Sequence, residues 1–239
     1  MEKPPLVVII GDSGTGKSSL LETLPPERTV IINTENKPLP MENFTQFKNF
    51  YITDWKALTN ILDKLNTPEM TEKYDFVVLD SFTSMTEMVL RYAEKVYTGW
   101  DVWGKYNDMI ADGIFKMKKL NLQCFVIALP EQKAEQFGET KSYARVKGKD
   151  LKFGYLEKEV AIVLFTEPEY AEQDMKTYTN KNGKTFVDVE EGDMIESYMR
   201  YKPSKKNSAK APSNMFTGKL SNDGLMIANK IKEYYNVQK

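Results

Sequence analysis

Residues 11–18 read GDSGTGKS, directly after the apolar run LVVII of residues 6–10 and with only MEKPP in front. The spacing G-x-x-x-x-G-K-[ST], set between an apolar strand and the helical stretch LLETL, is that of a Walker A phosphate loop. A strand delivers Gly11. The turn through Asp12, Ser13, Gly14 and Thr15 takes conformations that a β-carbon resists, and Gly16 lets the main chain approach a ligand closely. Main-chain N–H groups then converge on a phosphate, and a helix starting near Lys17 adds the positive end of its dipole. The Lys17 ammonium reaches the β- and γ-phosphates and the Ser18 hydroxyl binds magnesium, so the stretch from Gly11 to Ser19 is the candidate nucleotide site. A turn without a ligand would leave the flanking strand and helix as coincidence.

Composition limits what else the chain can do. At 239 residues, 41% of them hydrophobic, it can hold a full core as one domain over 1–239, with a core to about residue 167 and an appendage beyond it. A net charge of -1 provides no global basic field, so nucleic-acid binding has to come from local patches. The single cysteine, Cys124 within CFVIAL, leaves no disulfide to form within the chain and reads as a buried thiol in a reducing compartment. Neither a signal peptide nor an apolar run long enough to span a bilayer is found, so a cytoplasmic protein without a membrane partner is expected. No histidine is present, which excludes histidine-based triads and His-ligated zinc and leaves carboxylates, lysines and a magnesium nucleotide for the chemistry.

Working outward from the phosphate loop, apolar runs alternate with helical patterns, which argues for a mainly parallel sheet flanked by helices, an α/β fold. TVIINTE and NFYIT read as strands. Asp54 caps a helix whose Leu58, Ile61, Leu62 and Leu65 recur at helical spacing. YDFVVLDS is a buried strand, followed by a helix with Met85, Met88, Val89, Tyr92 and Val96 on one face and another from about Lys105 to Leu120. Strands CFVIALPE and EVAIVLFTE flank a polar stretch from Gln132 to Glu157. TYTNKNGKTFVDV then reads as a hairpin turning at Asn182-Gly183, KPSKKNSAKAPSN as a flexible basic linker, and 222–235 as a last helix.

Two carboxylates stand where chemistry is expected. Asp80 emerges at the carboxyl end of an apolar strand, where ligands of open α/β sheets gather, and there a carboxylate can hold magnesium directly or through water. Glu35 follows the strand after the phosphate loop. If that strand lies beside the first or one strand away, Glu35 comes near the γ-phosphate and can orient or deprotonate water; otherwise it is a surface glutamate before Lys37-Pro38.

GDSGTGKS, the glutamate in INTE and the strand ending in VVLDS together resemble the RecA-type ATPase core. More narrowly, with AKAPSNMF, SNDGL and a terminal helix, the chain resembles the small phage-encoded RecA-like ATPases grouped with recombination and single-strand annealing proteins. The resemblance covers nearly the whole chain. It implies a RecA-like P-loop NTPase core with a C-terminal β-hairpin and helix, ATP and Mg2+ as cofactors, and Mg-dependent, DNA-stimulated ATP hydrolysis in the host cytoplasm. By position it implies Lys17 and Ser18 on phosphate and magnesium, Asp80 on the magnesium water shell and Glu35 as the catalytic carboxylate. A glutamine sensor of RecA proteins would fall at VIALPEQ, where Glu131 or Gln132 could fill the place beside Pro130. The short N-terminus has no room for the helix and strand by which bacterial RecA joins its neighbour.

The same resemblance singles out two candidate contacts for single-stranded DNA. YTGWDVWGKY carries Tyr97, Trp100, Trp103 and Tyr106, whose rings can stack on bases or simply pack two helices together. The loop from residue 133 to 154 carries Lys141, Arg145, Lys147 and Lys149 among aromatic residues, which suits a single strand or a plain solvated loop. The partners implied by the family are further copies of the chain and single-strand binding or annealing proteins. Lys210, in the basic segment, is a candidate cation for a neighbouring subunit's γ-phosphate or else part of a linker. An AAA+-type helicase loader, a small-molecule P-loop kinase and a non-hydrolysing switch are the competing readings. A loader needs an arginine finger and a kinase an arginine-rich lid, and the chain has only Arg28, Arg91, Arg145 and Arg200.

Overall fold

A computed structural model describes residues 3–135, 139–148, 151–152, 154–170, 175–179, 185–189 and 194–235. The first strand, β1 (Val7–Ile10), is apolar at every position, because it lies inside a sheet covered on both faces. Its side chains alternate. Val8 and Ile10 enter a core shared with Leu58, Leu62, Met85 and Ile110; Val7 and Ile9 enter a second core with Leu20, Leu21, Ile227 and Ile231. Helices therefore cover the two faces separately, in an α/β/α arrangement.

Further strands are β2 (Thr29–Asn33), β3 (Lys48–Tyr51), β4 (Phe76–Asp80), β5 (Gln123–Ala128), β8 (Ile162–Tyr170), β11 (Met194–Arg200) and β12 (Leu220–Ser221). They join β1 in one eight-stranded sheet ordered β12-β11-β8-β1-β5-β4-β2-β3. From β8 to β3 the pairing is parallel, while β11 and β12 run antiparallel at one edge. The expected α/β core is present, and β11 and β12 extend it beyond what the sequence pattern indicates.

Helix α1 (Ser19–Glu22) is only four residues long and starts two residues after Lys17; Pro25 and Pro26 follow after Thr23 and Leu24 and bar a longer helix. Helix α2 (Trp55–Leu65) is capped as expected, the Asp54 carboxylate accepting from the Ala57 N–H at 2.9 Å, and buries Leu58, Ile61, Leu62 and Leu65. Helices α3 (Pro68–Lys73), α4 (Phe82–Val96) and α5 (Asp101–Lys119) complete that face, and α6 (Gly224–Tyr235) packs near α1 on the other. Helix α5 begins four residues before Lys105, so Trp103 and Tyr106 lie on a helix rather than in a loop.

The polar stretch after β5 is not structureless. Strands β6 (Pro130–Ala134) and β7 (Thr140–Ala144) pair as an antiparallel hairpin. Strands β9 (Met175–Thr179) and β10 (Thr185–Val189) form the second, expected hairpin; its turn at Asn182-Gly183 lies outside the described residues, as does Lys149. Cys124 is fully enclosed, and burial pushes its thiol up to about 12. Among the described residues no helix is long and apolar enough to cross a membrane.

Candidate functional site

The phosphate loop leaves the carboxyl end of β1 as the sequence requires, but its members do different jobs. The Gly11 N–H donates to the Ala128 carbonyl at 3.3 Å, so it continues the ladder with β5. What Gly11 supplies is space: a β-carbon there would stand 1.7 Å from Thr166 Oγ1 and 2.7 Å from Thr15 Oγ1. Those two hydroxyls meet at 2.6 Å, and Thr15 Oγ1 also contacts the Asp12 carbonyl at 2.8 Å. Gly14 and Gly16 have φ of 79° and 88°, the left-handed region that favours glycine. The Lys17 ammonium donates to the Asp12 carbonyl and folds back over the loop. Ser18 occupies the helix cap without using its hydroxyl to cap α1.

On the other side of the loop stand the carboxylates. Asp80 ends β4 and is 9% exposed. Burial first, and then the negative charge of Glu35, pushes its carboxyl up to about 6, with Lys17 pulling the other way. Lys17 in turn is lowered by burial, opposed by Asp80, Asp12 and Glu35. These mutual effects place Lys17, Asp80 and Glu35 within one electrostatic neighbourhood. The strand order corrects one expectation: β5 and β4 both separate β2 from β1, so Glu35 comes neither from a neighbouring strand nor from one strand away. It reaches the site because the ends of β2 and β4 are tied together. The Thr34 N–H donates to the Asp80 carbonyl at 2.8 Å. The Thr34 hydroxyl donates to the Ser81 carbonyl at 2.8 Å and accepts from the Ser81 N–H at 3.0 Å. The Ser81 hydroxyl donates to Glu35 Oε1 at 3.0 Å and accepts from the Ser84 N–H at 3.3 Å, capping α4. Thr34 and Ser81 escape the sequence reading, although a serine between Asp80 and a helical run is itself a capping signal.

Glu35 also borders a cleft of about 660 Å³ lined by Thr34, Lys37, Arg91, Lys95, Arg145 and Lys147, among others. The segment carrying Arg145 and Lys147 lies against α4. Thr83 donates to the Arg145 carbonyl at 3.3 Å, Thr86 accepts from the Lys147 N–H at 3.0 Å, and Tyr106 donates to the Lys147 carbonyl at 2.6 Å. Two candidate DNA residues are thus brought to the Glu35 cleft. Lys141 sits on β7, opposite Lys133 of β6. Trp100 is 83% exposed at the start of α5, whereas Trp103 packs against the core and stands edge-on to Tyr106 at 6.3 Å. Gly148 permits that packing, since a β-carbon there would lie 3.1 Å from the Trp103 ring.

The two sensor candidates are on the β6–β7 hairpin, not at the end of β5. Glu131 pairs with Lys133 at 3.6 Å, Gln132 is exposed, and neither lines the Glu35 cleft. The new strand starts at Pro130, separated from the end of β5 by a single residue, and both candidates lie on it. The segment read as a flexible linker is instead fixed in place. The Lys210 N–H and carbonyl exchange hydrogen bonds with Val163 at 2.9 and 2.8 Å, Ser142 donates to the Lys206 carbonyl at 2.9 Å, and Asn207 and Ala209 are buried.

The Asp80 carboxylate and the Ser18 hydroxyl are hard oxygen donors of the kind that fit magnesium, which takes one or two carboxylates and completes its shell with phosphate and water. Asp80 and the Ser18 hydroxyl would hold it, and bound there it would neutralise phosphate charge.

A phosphate loop on β1 of a largely parallel sheet, with the buried Asp80 and the half-buried Glu35 at the same carboxyl end of the strands, defines a P-loop ATPase. The chain belongs to the family described as AAA domain, whose model matches residues 3–213. No curated protein matches it.

Proposed function

We propose that the protein is a Mg-dependent, RecA-like ATPase that binds single-stranded DNA in the cleft beside Glu35 and assists phage homologous recombination or annealing. The observation that carries this reading is the shared wall: Glu35 borders the same cleft as Arg91, Lys95, Arg145 and Lys147. Lys17 neutralises phosphate charge as the γ-phosphate departs, while Glu35, held by the Ser81 hydroxyl, directs the attacking water. A polyanion in the cleft is drawn by the basic residues and changes the field felt by Glu35, which links DNA occupancy to turnover. Further copies of the chain and single-strand binding or annealing proteins are the proposed partners, in the cytoplasm of the host.

An AAA+ loader working through an arginine finger is less well supported. Arg28 is held by Asp75 at 2.8 Å, and Arg91 and Arg200 are paired within the chain with Glu87 and Glu167. Steady-state ATP hydrolysis, measured with single-stranded DNA, duplex DNA and small phosphate acceptors, tests the proposal. Stimulation by the single strand above the duplex is expected. Replacing Arg145 and Lys147 together by alanine should weaken single-strand binding and flatten its salt dependence, by about 0.7 in the log–log slope for each phosphate that is no longer neutralised. Equal stimulation by duplex would remove the single-strand assignment, and phosphate transfer to a small acceptor would make the protein a kinase.

A further inference from the structure

The phosphate loop is gripped from the far end of the chain. Asn222 Nδ2 donates to the Gly16 carbonyl at 2.6 Å and to Ser197 Oγ at 2.7 Å, across 206 residues in the first case. Ser197 belongs to β11, and Asn222 lies between β12 and α6. The neighbouring residues pin this segment to α1. The Gly224 N–H donates to Thr23 Oγ1 at 2.7 Å, a β-carbon on Gly224 would lie 2.8 Å from the Leu20 carbonyl, and Asp223 caps α6 through the Met226 N–H at 2.8 Å. Gly16 itself has no room for a side chain, since a β-carbon would stand 2.3 Å from Ser197 Oγ and 2.9 Å from Asn222 Nδ2.

The consequence lies in one peptide unit. The Gly16 carbonyl and the Lys17 N–H are opposite ends of the same planar trans group and point in opposite directions. At a glycine with positive φ, that group rotates at little steric cost. Fastening the carbonyl on Asn222 therefore fixes the Lys17 N–H on the opposite side of the peptide, away from Asn222. Asn222 Oδ1 is buried and has no hydrogen-bond partner among the described residues, and both contacts that hold the carboxamide run through its amino group.

We propose that Asn222 is a positioning residue of the nucleotide site, orienting the Gly16–Lys17 peptide so that the Lys17 N–H donates to a bound phosphate. Asn222 lies beyond residues 3–213 matched by the family, so a residue outside the matched segment completes the loop. The assignment rests on the nucleotide-binding reading of GDSGTGKS.

The test measures ADP binding by calorimetry in the full chain, comparing wild type with Asn222→Leu, which keeps the shape without the donor, Asn222→Ala, and Thr23→Val. The last loosens the same segment at α1 without touching Gly16. Both Asn222 variants should weaken ADP binding about tenfold, the value of one charge-assisted or well-placed hydrogen bond, and raise KM for ATP with kcat nearly unchanged. Thr23→Val should lower the melting temperature and leave ADP affinity within about twofold. In 15N-labelled wild type, ADP should move the Lys17 amide proton downfield, and this shift should vanish in Asn222→Ala. Unchanged affinity in both Asn222 variants, or an equal loss in Thr23→Val, overturns the role of Asn222. Wild-type protein that binds no ADP would sink the nucleotide-site reading itself.

Discussion

The two flanks of the phosphate loop are built from opposite materials. Toward β4 and β2 the groups are charged and desolvated: Asp80 is raised by burial and by Glu35, and Lys17 is lowered by burial. Toward β8 and β11 they are neutral. Thr166 meets Thr15 at 2.6 Å, and Asn222 joins Ser197 to Gly16. Neutral hydroxyl and carboxamide contacts fix the shape of the loop without altering its charge. Buried charges do the reverse, because each is less stable folded than in water until a ligand compensates it. In the proposed reading the charged flank therefore supplies reactivity at some expense of stability, and the neutral flank supplies geometry.

Substitutions on the charged flank should remove activity without unfolding the protein. Lys17→Ala has the largest expected effect, turnover falling below detection while thermal stability is kept, and ATP hydrolysis near wild type would defeat the phosphate-loop assignment. Glu35→Gln keeps the shape and removes the carboxylate, so Mg-ATP should still bind while turnover falls by about 10² or more. Equal loss of binding and turnover would make Glu35 structural. Asp80→Asn tests the stability side of the contrast. Because the folded carboxyl is raised from 3.8 to about 6, the folded state holds the proton more tightly than the unfolded chain. Its contribution to stability is fully present below about pH 4 and is lost as pH rises through about 6. The ligand-free Asp80→Asn protein should thus gain at most about 3 kcal/mol over wild type at pH 8, since each tenfold change in acidity is worth about 1.4 kcal/mol, and lose the gain toward pH 4, while turnover collapses. Denaturant melts at the two pH values decide it, and identical stabilities at pH 8 would mean that Asp80 is not desolvated.

The same contrast explains what the sequence could and could not reveal. The loop itself lies in consecutive residues, and the strand before Asp80 declares itself by an apolar run that stops at a carboxylate. Helix α2 is legible because Leu58, Ile61, Leu62 and Leu65 share one period. Ser197 and Asn222 carry no such local signal, since what makes them matter is contact with Gly16 across the sheet edge. The β6–β7 hairpin is hidden for a related reason: PEQKA and TKSYA are polar, and the pairing comes without an apolar alternation. Trp103 is ambiguous because a ring that stacks on a base and a ring that packs on Gly148 leave the same letter in the sequence.

The smallest expected effect belongs to Lys210, where neutral shape and buried charge meet again. Glu157 Oε1 accepts from the Ala144 N–H at 2.6 Å and the Ser208 hydroxyl at 3.2 Å, and its Oε2 is buried without a partner among the described residues. Burial raises its carboxyl, while the Ala144 and Ser208 bonds and the Lys210 charge draw it back down. The main chain of Lys210 is secured by Val163, so Lys210→Ala leaves the backbone in place and removes only a partly screened charge. The expected loss is about 1 kcal/mol or less. The sign follows from Glu157: without Lys210 its folded carboxyl is raised further, so the deficit should be small where Glu157 is protonated and grow as pH rises through its folded value. Turnover per molecule should stay within about twofold of wild type. If Lys210→Ala instead kept full stability, lost most turnover, and regained activity when mixed with Glu35→Gln, the lysine would be acting across a subunit junction, with an intact Glu35 meeting an intact Lys210 at mixed sites.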